Sequence, residues 1–459
     1  MTASAETTAT ETPATETPTV EAPPFGVRDV LRIADFRRLW AAQAISDIGD
    51  GLTNLTLLLV VLRITGSTAA LAAMAIALAV PAIVVGPVAG VFVDRWERRR
   101  VMLASDLIRT AIVLGFVVVR SPDQLWLLYV LAVAHATVGT FFFPARSALM
   151  ARVVPSDGLM AANSLNQISR VIAGVIGASA AGVLVGVADV TWPAFVADAA
   201  TFLVSFLIVS RVVTRGRAER ATGTAETIVG SLRNGLGLVA SSRILVGTMV
   251  GAGVTMLGLG AVNVLFVPLM VRTLAVPATW LGVVDIAQTA SMILAAGTVA
   301  VLAARLRPTT IVVIGLAGIA VVISLVAGVT AVWQIALLMF AVGWFVTPLE
   351  ASLLTIVQTA AGDSHRGRVV ASLHAVMSAA SVVSMALAGV FADLIGVRVA
   401  FLLAGIVVGI AAIIAGLLFR GTSTAGATAA EARPESGDPG TAVAGVPESG
   451  SPIEVGAAG

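Results

Sequence analysis

The chain has no cysteine and no lysine, and charged residues make up only 12% of its 459 positions. The lack of cysteine excludes disulfide bonds, thiolate metal sites and a cysteine nucleophile. Soluble domains carry about 25% charged residues, so this sequence has half of the charge that a water-exposed surface needs. The composition therefore excludes an ordinary soluble protein.

Apolar residues take the place of the missing charge. They make up 58% of the chain, and the mean hydropathy is +0.99. A helix needs about 20 predominantly apolar residues to span a bilayer. Stretches of this kind occupy residues 38–62, 69–93, 101–120, 125–151, 161–188, 192–213, 244–271, 279–304, 309–330, 333–361, 369–395 and 398–420. The pattern predicts an all-α integral membrane protein with twelve transmembrane helices.

The positions of the arginines predict the topology, because cytoplasmic loops are enriched in positive charge. If both termini are cytoplasmic, only Arg63, Arg120, Arg272 and Arg398 fall in outer loops. The first 24 residues have neither a basic region nor an apolar core, so they do not predict a cleavable signal peptide. We expect a multi-pass protein of the plasma membrane with both termini in the cytoplasm.

Polar segments divide the chain into five parts. Residues 1–33 form an acidic tail and a cytoplasmic lead-in, and residues 421–459 form a second tail. Both tails lack apolar periodicity, which predicts disorder. Between them, residues 34–213 and 244–420 each hold six predicted helices, joined by a cytoplasmic linker at 214–243.

The two halves repeat each other. A shift of 209 residues places Gly51 on Gly260, Asn54 on Asn263 and Arg63 on Arg272. Such a repeat predicts two parallel six-helix bundles, an arrangement that is known in secondary transporters. Chance matches in a chain rich in glycine and alanine remain the alternative at this point.

The loop after the second predicted helix reads Gly90-Val-Phe-Val-Asp94-Arg95-Trp-Glu97-Arg98-Arg99-Arg100. It resembles the G-x-x-x-D-R-x-G-R-R signature of the major facilitator superfamily, with Glu97 in place of the second glycine. Other stretches resemble its drug:proton antiporter-3 branch of macrolide, multidrug and siderophore exporters. They are Ser46-Asp-Ile-Gly49-Asp50, Thr65-Gly66-Ser67, Ser105-Asp106-Leu-Ile-Arg109, Pro144-Ala-Arg146-Ser147-Ala148 and Ala161-Ala-Asn163-Ser-Leu165-Asn166.

This resemblance implies the two-bundle fold, transport by alternating access, and a gating role for Gly90, Asp94, Arg95 and Arg98. Gating contacts form in one access state and break in the other. A carboxylate such as Asp94 can accept hydrogen bonds at a helix N-terminus, where the macrodipole favours an anion. The alternative is that the arginines only anchor the topology.

The chain departs from the family pattern in two places. Exporters of the superfamily often carry G-P-x-x-G-G in the fifth helix, where this chain reads Gly177-Ala-Ser-Ala-Ala181-Gly182. The second copy of the loop signature, near Gly297, has Arg305 where the aspartate would be. We therefore expect the gating contacts of the two halves to differ.

Four polar residues on the first predicted helix lie on one side. Gln43, Asp47, Asp50 and Asn54 are spaced i, i+4, i+7 and i+11, which places them within an arc of roughly 60°. Charged side chains are costly at bilayer depth unless they face a cavity or a partner. We expect this side of the helix to line a central cavity, with Asp47 and Asp50 as candidates for proton coupling. The alternative is that one of them is a structural acid.

Further candidate residues lie on other helices. Asp285 and Glu350 are additional candidates for proton coupling, whereas His135, Asn263 and His374 join Gln43 and Asn54 as candidates for the cavity wall. Intramembrane ionisable residues indicate a functional site in general. The two histidines can relay protons or can pack as ordinary hydrogen-bonded side chains.

Arg146 and Glu350 occupy equivalent positions in the two halves, each two residues after a helix proline. A contact between them is a candidate gate, and the alternative is that each pairs within its own half, for example Arg146 with Asp106. Asp106 and Arg109 are predicted to pair locally. Near the outer helix ends, Asp198 and Asp393 are interpreted as structural.

The sequence as a whole predicts a secondary transporter that couples efflux of a hydrophobic or amphipathic compound to protons. The alternatives are a siderophore or lysolipid exporter and, in another class, a receptor or scaffold that transports nothing. No P-loop or intramembrane hydrolase motif is present, so neither an ATP-driven pump nor an enzyme is indicated. We expect a small-molecule substrate, protons and the bilayer as partners. We expect no cofactor, metal or nucleic acid, and a monomer.

Overall fold

The computed structural model describes residues 26–119, 121–188, 191–214, 237, 242–360 and 366–420. Its regular structure within these ranges is helical throughout. The first half contains α1 (Val27–Arg32), α2 (Ala34–Thr65), α3 (Thr68–Val84), α4 (Gly86–Arg95), α5 (Arg98–Phe116), α6 (Leu125–Val153), α7 (Leu159–Ala188) and α8 (Trp192–Ser210). The second half contains α9 (Arg243–Pro268), α10 (Thr279–Arg305), α11 (Pro308–Val326), α12 (Val332–Ala360), α13 (Arg366–Ile395) and α14 (Val397–Phe419).

Within the described ranges, ten helices are long and apolar enough to cross a membrane. The other two predicted spans differ for identifiable reasons. The second is divided into α3 and α4, because α4 carries a proline in its first turn and proline cannot donate the backbone hydrogen bond that would continue the helix. The third, α5, has 19 residues but includes Arg98, Arg99, Arg100, Asp106 and Arg109.

Both halves pack their helices in the same pattern. In the first half α2 packs on α7 and α8, and α5 packs on α6 and α8. In the second half α9 packs on α13 and α14, and α11 packs on α12 and α14. The chain therefore forms two six-helix bundles of equivalent topology. The predicted tails and the linker lie mostly outside the described residues, so the predicted domain limits stay predictions.

The repeat also holds at the level of single residues. A methyl group added at Gly51 would lie 2.8 Å from the carbonyl oxygen of Gly174, and one added at Gly260 would lie 2.8 Å from that of Ser381. Gly51 and Gly260 are the pair that the 209-residue shift aligns. Both permit two helix backbones to approach closely, which is how small residues drive helix packing in membranes.

The bundles meet through α3 against α13 and through α7 against α10. We call the end of the molecule that carries Arg95 to Arg100 the arginine-rich face, and the end that carries Gly66 the Gly66 face. Several contacts close the Gly66 face. Arg272 donates a hydrogen bond to the carbonyl oxygen of Gly66, and Asp393 accepts hydrogen bonds from the start of α3.

Candidate functional site

A cavity of about 840 Å³ lies between the bundles. Its volume is within the range of about 300–1,000 Å³ that is usual for small-molecule sites. All but two of its lining residues come from the N-terminal bundle; the exceptions are Asn263 on α9 and Met385 on α13. Apolar side chains, among them Leu58, Leu78 and Phe142, alternate with polar ones along its wall.

The polar side of α2 faces this cavity as the residue spacing predicts. Gln43, Asp47, Asp50 and Asn54 all line it. Gln43 Nε2 donates a hydrogen bond to Asp47 Oδ1 at 2.5 Å. The second carboxylate oxygen of Asp47 is buried and accepts no hydrogen bond from the described part of the chain. Asp47 is therefore a carboxylate of the cavity wall with one oxygen that has no partner among the described residues.

Asp50 belongs to a three-residue charge cluster that joins α2, α5 and α6. Its Oδ1 atom is ion-paired with Arg109 Nη2 and lies 3.3 Å from His135 Nε2. Arg109 Nη2 is also 3.3 Å from His135 Nε2, and its guanidinium carbon lies 4.0 Å from the centroid of the Phe202 ring. All three residues line the cavity. Because the three groups are in direct contact, a change in the charge of one of them acts directly on the other two.

The predicted local pair of Asp106 with Arg109 is wrong. Asp106 Oδ2 instead accepts a hydrogen bond of 2.7 Å from Ser205 on α8, while Arg109 is directed toward Asp50. Residues three apart on a helix are neighbours, but here the partners on adjacent helices determine the pairing. Arg109 is thus a cavity residue that the sequence interpretation did not identify.

A further buried acid was interpreted as structural from the sequence. Asp198 on α8 has no exposed surface, accepts a hydrogen bond of 3.2 Å from Thr201, and lies within electrostatic range of Asp50 and Arg109. It faces Gly49 on α2, where a methyl group would collide with its carboxylate. The feature of the sequence that permits this close approach of α2 and α8 is Gly49, a residue without a side chain directly before Asp50.

Arg146 and Glu350 do not meet in this structure. Arg146 is buried, its Nη1 atom lies 3.5 Å from Asn166 Oδ1 on α7, and its guanidinium carbon is 5.3 Å from the centroid of the Phe143 ring. Glu350 is exposed on α12. The suggested pairing of Arg146 with Asp106 is also wrong, since Asn166 and Ser205 are their respective partners.

The remaining candidates fall in different places. His135 and Asn263 line the cavity, whereas the residues that line it do not include Asp285, Glu350 or His374. Asp285 is half-buried on α10, and His374 is exposed on α13. Among the residues that the structure describes, no cluster of three or more histidine or acidic side chains has the geometry to hold a metal ion.

The loop signature lies at the end of α4. Arg95 is exposed there, and Arg98 is buried at the start of α5. Gly90 and Asp94 belong to α4, but they are outside the positions whose surroundings the structure describes. Arg99 donates hydrogen bonds to the carbonyl oxygens of Val209 and Ser210 at the end of α8.

Comparisons with known proteins agree with this architecture. Residues 29–444 match the transmembrane secretion effector family, MFS_3. The MFS-type transporter YfiS of Bacillus subtilis is 26% identical over 80% of this chain and 89% of its own length. Macrolide efflux protein A of Streptococcus pyogenes is 23% identical over 81% of this chain and 92% of its own length.

Solved structures share the fold at lower sequence identity. The nucleoside transporter NupG superposes with a TM-score of 0.67 and 13% identity, covering 84% of this chain and 100% of its own. A bacterial homologue of the human lysosomal transporter Spinster, in an inward-facing conformation, superposes with a TM-score of 0.66, also at 13% identity, over 84% of this chain and 96% of its own. The chain is a multi-pass membrane transporter that belongs to the transmembrane secretion effector family of the major facilitator superfamily.

Proposed function

We propose that the protein exports a hydrophobic or amphipathic compound in exchange for protons, by alternating access of the cavity between its two bundles. The observation that carries this proposal is the position of Asp50 on the cavity wall, in contact with both Arg109 and His135. A carboxylate in that position is open to the cavity, yet its charge is balanced by a buried cation.

Proton binding at Asp50 would remove the charge that holds Arg109. A buried guanidinium without a partner is costly, so Arg109 then requires another anion or a change of conformation. Return of Arg109 to Asp50 displaces the proton. In this scheme proton binding and the position of Arg109 are linked, and His135, 3.3 Å from both groups, is placed to pass the proton.

The wall of the cavity supports an amphipathic substrate. Leu58, Phe142 and Met385 offer apolar surface, and Asn54 and Asn263 offer hydrogen-bonding groups from opposite bundles. The likeness to macrolide efflux protein A supports a macrolide-like compound. The likeness to an efflux protein also supports outward transport. With the predicted topology the Gly66 face is the outer one, so the cavity would load from the cytoplasm.

The test is flux in proteoliposomes, with a macrolide and an amphipathic dye as probes. We expect the unsubstituted protein to concentrate a probe against its gradient when a pH gradient is imposed. Asp50→Asn should abolish this uphill flux but retain downhill exchange. The matched control is Asp123→Asn, which removes an exposed acid from the loop before α6.

Uphill flux by Asp50→Asn at the control rate would exclude Asp50 as the coupling residue. Absence of flux of every probe by the unsubstituted protein, in any gradient, would favour a receptor or scaffold instead. A drug-susceptibility panel with deletion and overexpression strains would widen the range of compounds tested.

A further inference from the structure

A carboxylate of the C-terminal bundle caps a helix of the N-terminal bundle at the Gly66 face. Asp393, near the end of α13, accepts hydrogen bonds from Ser67 Oγ at 2.6 Å, from the Thr68 backbone N–H at 2.8 Å and from the Ala69 backbone N–H at 2.9 Å. Ser67 is the N-cap of α3, and its hydroxyl oxygen also accepts from the Ala70 N–H.

These donors are available because the first N–H groups of a helix have no intrahelical partner. The same end of a helix carries partial positive charge, which attracts a carboxylate. The contact therefore satisfies groups of both bundles at once. Any movement that separates α3 from α13 breaks all three hydrogen bonds together.

Glycine brings the two helices close enough for this contact. A methyl group added at Gly389, one turn before Asp393, would lie 3.1 Å from Ala69 Cα and 3.2 Å from the carbonyl oxygen of Thr68. Beside it, Arg272 donates to the carbonyl oxygen of Gly66, whose φ of 63° is in the left-handed region that favours glycine.

The sequence around Asp393 repeats the loop signature at the other face of the molecule. Gly389-Val-Phe-Ala-Asp393 matches Gly90-Val-Phe-Val-Asp94, and both aspartates come four residues after the glycine near the end of a helix. The second half lacks this aspartate at the expected loop, where Arg305 is found. A stretch of the same pattern is found instead on α13, which is the equivalent of α7 in the repeat.

We propose that Asp393 and the first turn of α3 form the gate of the Gly66 face. This inference rests on the proposed alternating-access function. Asp393 holds the Gly66 face shut while the cavity loads, and the three hydrogen bonds must open before the cavity can empty through that face. Asp94 and Asp393 then act as counterparts, one on each bundle and one for each face.

The lack of cysteine makes the test direct, since a single introduced cysteine is the only thiol in the molecule. Ala75 lines the cavity seven residues beyond Thr68, about 10 Å along α3 from the gate. The Ala75→Cys variant is treated with a membrane-impermeant maleimide on each side of oriented vesicles. Asp123→Cys, exposed in a loop of the Gly66 face, identifies the side that the reagent reaches.

We expect the thiol of the Ala75→Cys variant to react poorly from the Gly66 side when Asp393 is present. Adding Asp393→Asn or Asp393→Ala should raise the labelling rate from that side by about tenfold or more, since each weakens hydrogen bonds to a charged group. Ser67→Ala should cause a smaller rise, because the two backbone donors remain. Asp123→Asn is the matched control and should leave the rate unchanged.

Equal labelling of the Asp393 variants and the Asp123→Asn control would overturn the gate. If the Asp393 variants do not fold, Ser67→Ala carries the test, because it removes one donor and leaves Asp393 in place. It should still raise the labelling rate from the Gly66 side, and a rate equal to that of Asp123→Asn would overturn the proposal. Labelling of the Ala75→Cys thiol needs neither a substrate nor a proton gradient. If the Asp393 variants raise the labelling rate but the protein transports no probe, the gate stands and only the proposed function is contradicted.

Discussion

Asp50 on α2 and Arg109 on α5 form an ion pair that spans two helices of the N-terminal bundle and borders the cavity. Arg109 is buried, and it packs against the Phe202 ring on its far side. A buried guanidinium inside an apolar bundle is costly, and a neighbouring anion offsets much of that cost. The pair therefore carries both a stability requirement and the proposed coupling reaction.

Removal of one partner of this pair should be worse than removal of both. We expect Asp50→Asn to destabilise the protein by about 3–5 kcal/mol, because it leaves the Arg109 charge buried without its partner. The double variant Asp50→Asn/Arg109→Gln should recover much of that loss. Thermal unfolding in detergent measures the cycle, and strictly additive losses would show that the two side chains do not act as a pair.

The close packing of α2 on α7 predicts different outcomes for two neighbouring glycines. A methyl group at Gly177 would collide with the Ile48 carbonyl oxygen and lie 2.8 Å from the Leu52 backbone nitrogen, whereas one at Gly174 would meet nothing within 4 Å. We expect Gly177→Ala to cost about 1–3 kcal/mol as an overpacked contact. Gly174→Ala, the control, should be neutral or stabilising by up to about 1 kcal/mol. Equal melting temperatures would contradict this packing.

Asp47 should affect substrate recognition rather than coupling. It has a buried oxygen without a hydrogen bond from the described residues and faces the cavity, which suits a cationic group of the guest. We expect Asp47→Asn to raise the KM for a cationic substrate about tenfold, the usual scale for one lost charged contact. The KM for a neutral substrate should stay constant. Transport assays with paired cationic and neutral probes measure this, and loss of uphill flux for both would assign coupling to Asp47 instead.

The double charge reversal Arg146→Glu/Glu350→Arg should not restore what Arg146→Glu alone loses. Arg146→Glu places a carboxylate beside Asn166 in a buried site, so we expect low abundance of this variant. Glu350→Arg replaces one charged side chain with another at a position that is not buried, so it should be tolerated better than Arg146→Glu. The double variant should behave like Arg146→Glu alone. Recovery of abundance and flux in the double variant would instead reveal that the two residues meet in another state of the cycle.

The sequence predicts correctly those features that depend on a single helix, such as which residues lie on the same side of it. The spacing of Gln43, Asp47, Asp50 and Asn54 placed all four on the cavity side, since an arc along one helix follows from its period alone. The alignment of Gly51 with Gly260 is likewise confirmed by equivalent close contacts. Composition and span length were sufficient to predict an all-α membrane protein.

Partners between helices could not be predicted in the same way. Arg109 follows Asp106 by three residues, which is the spacing of neighbours on a helix, yet its partner is Asp50 on α2. The sequence places Asp393 near an outer helix end, which favours a structural role, and nothing in the chain order shows that α13 ends beside the start of α3. These pairings depend on which helices pack together, and that is determined by the whole bundle.

Charge inside the described part of the molecule is divided unequally between the bundles. Among the residues that the structure describes, the buried ionisable side chains all belong to the N-terminal bundle, namely Arg98, Asp106, Arg109, His135, Arg146 and Asp198. The described buried polar residues of the C-terminal bundle are serines and threonines. The C-terminal wall can therefore accept substitutions without disturbing a charge balance. On the proposed export function, we expect mutations that change the range of exported compounds under antibiotic selection to accumulate in α9 and α13. Mutations that abolish resistance altogether should map to α2, α5, α6 and α8.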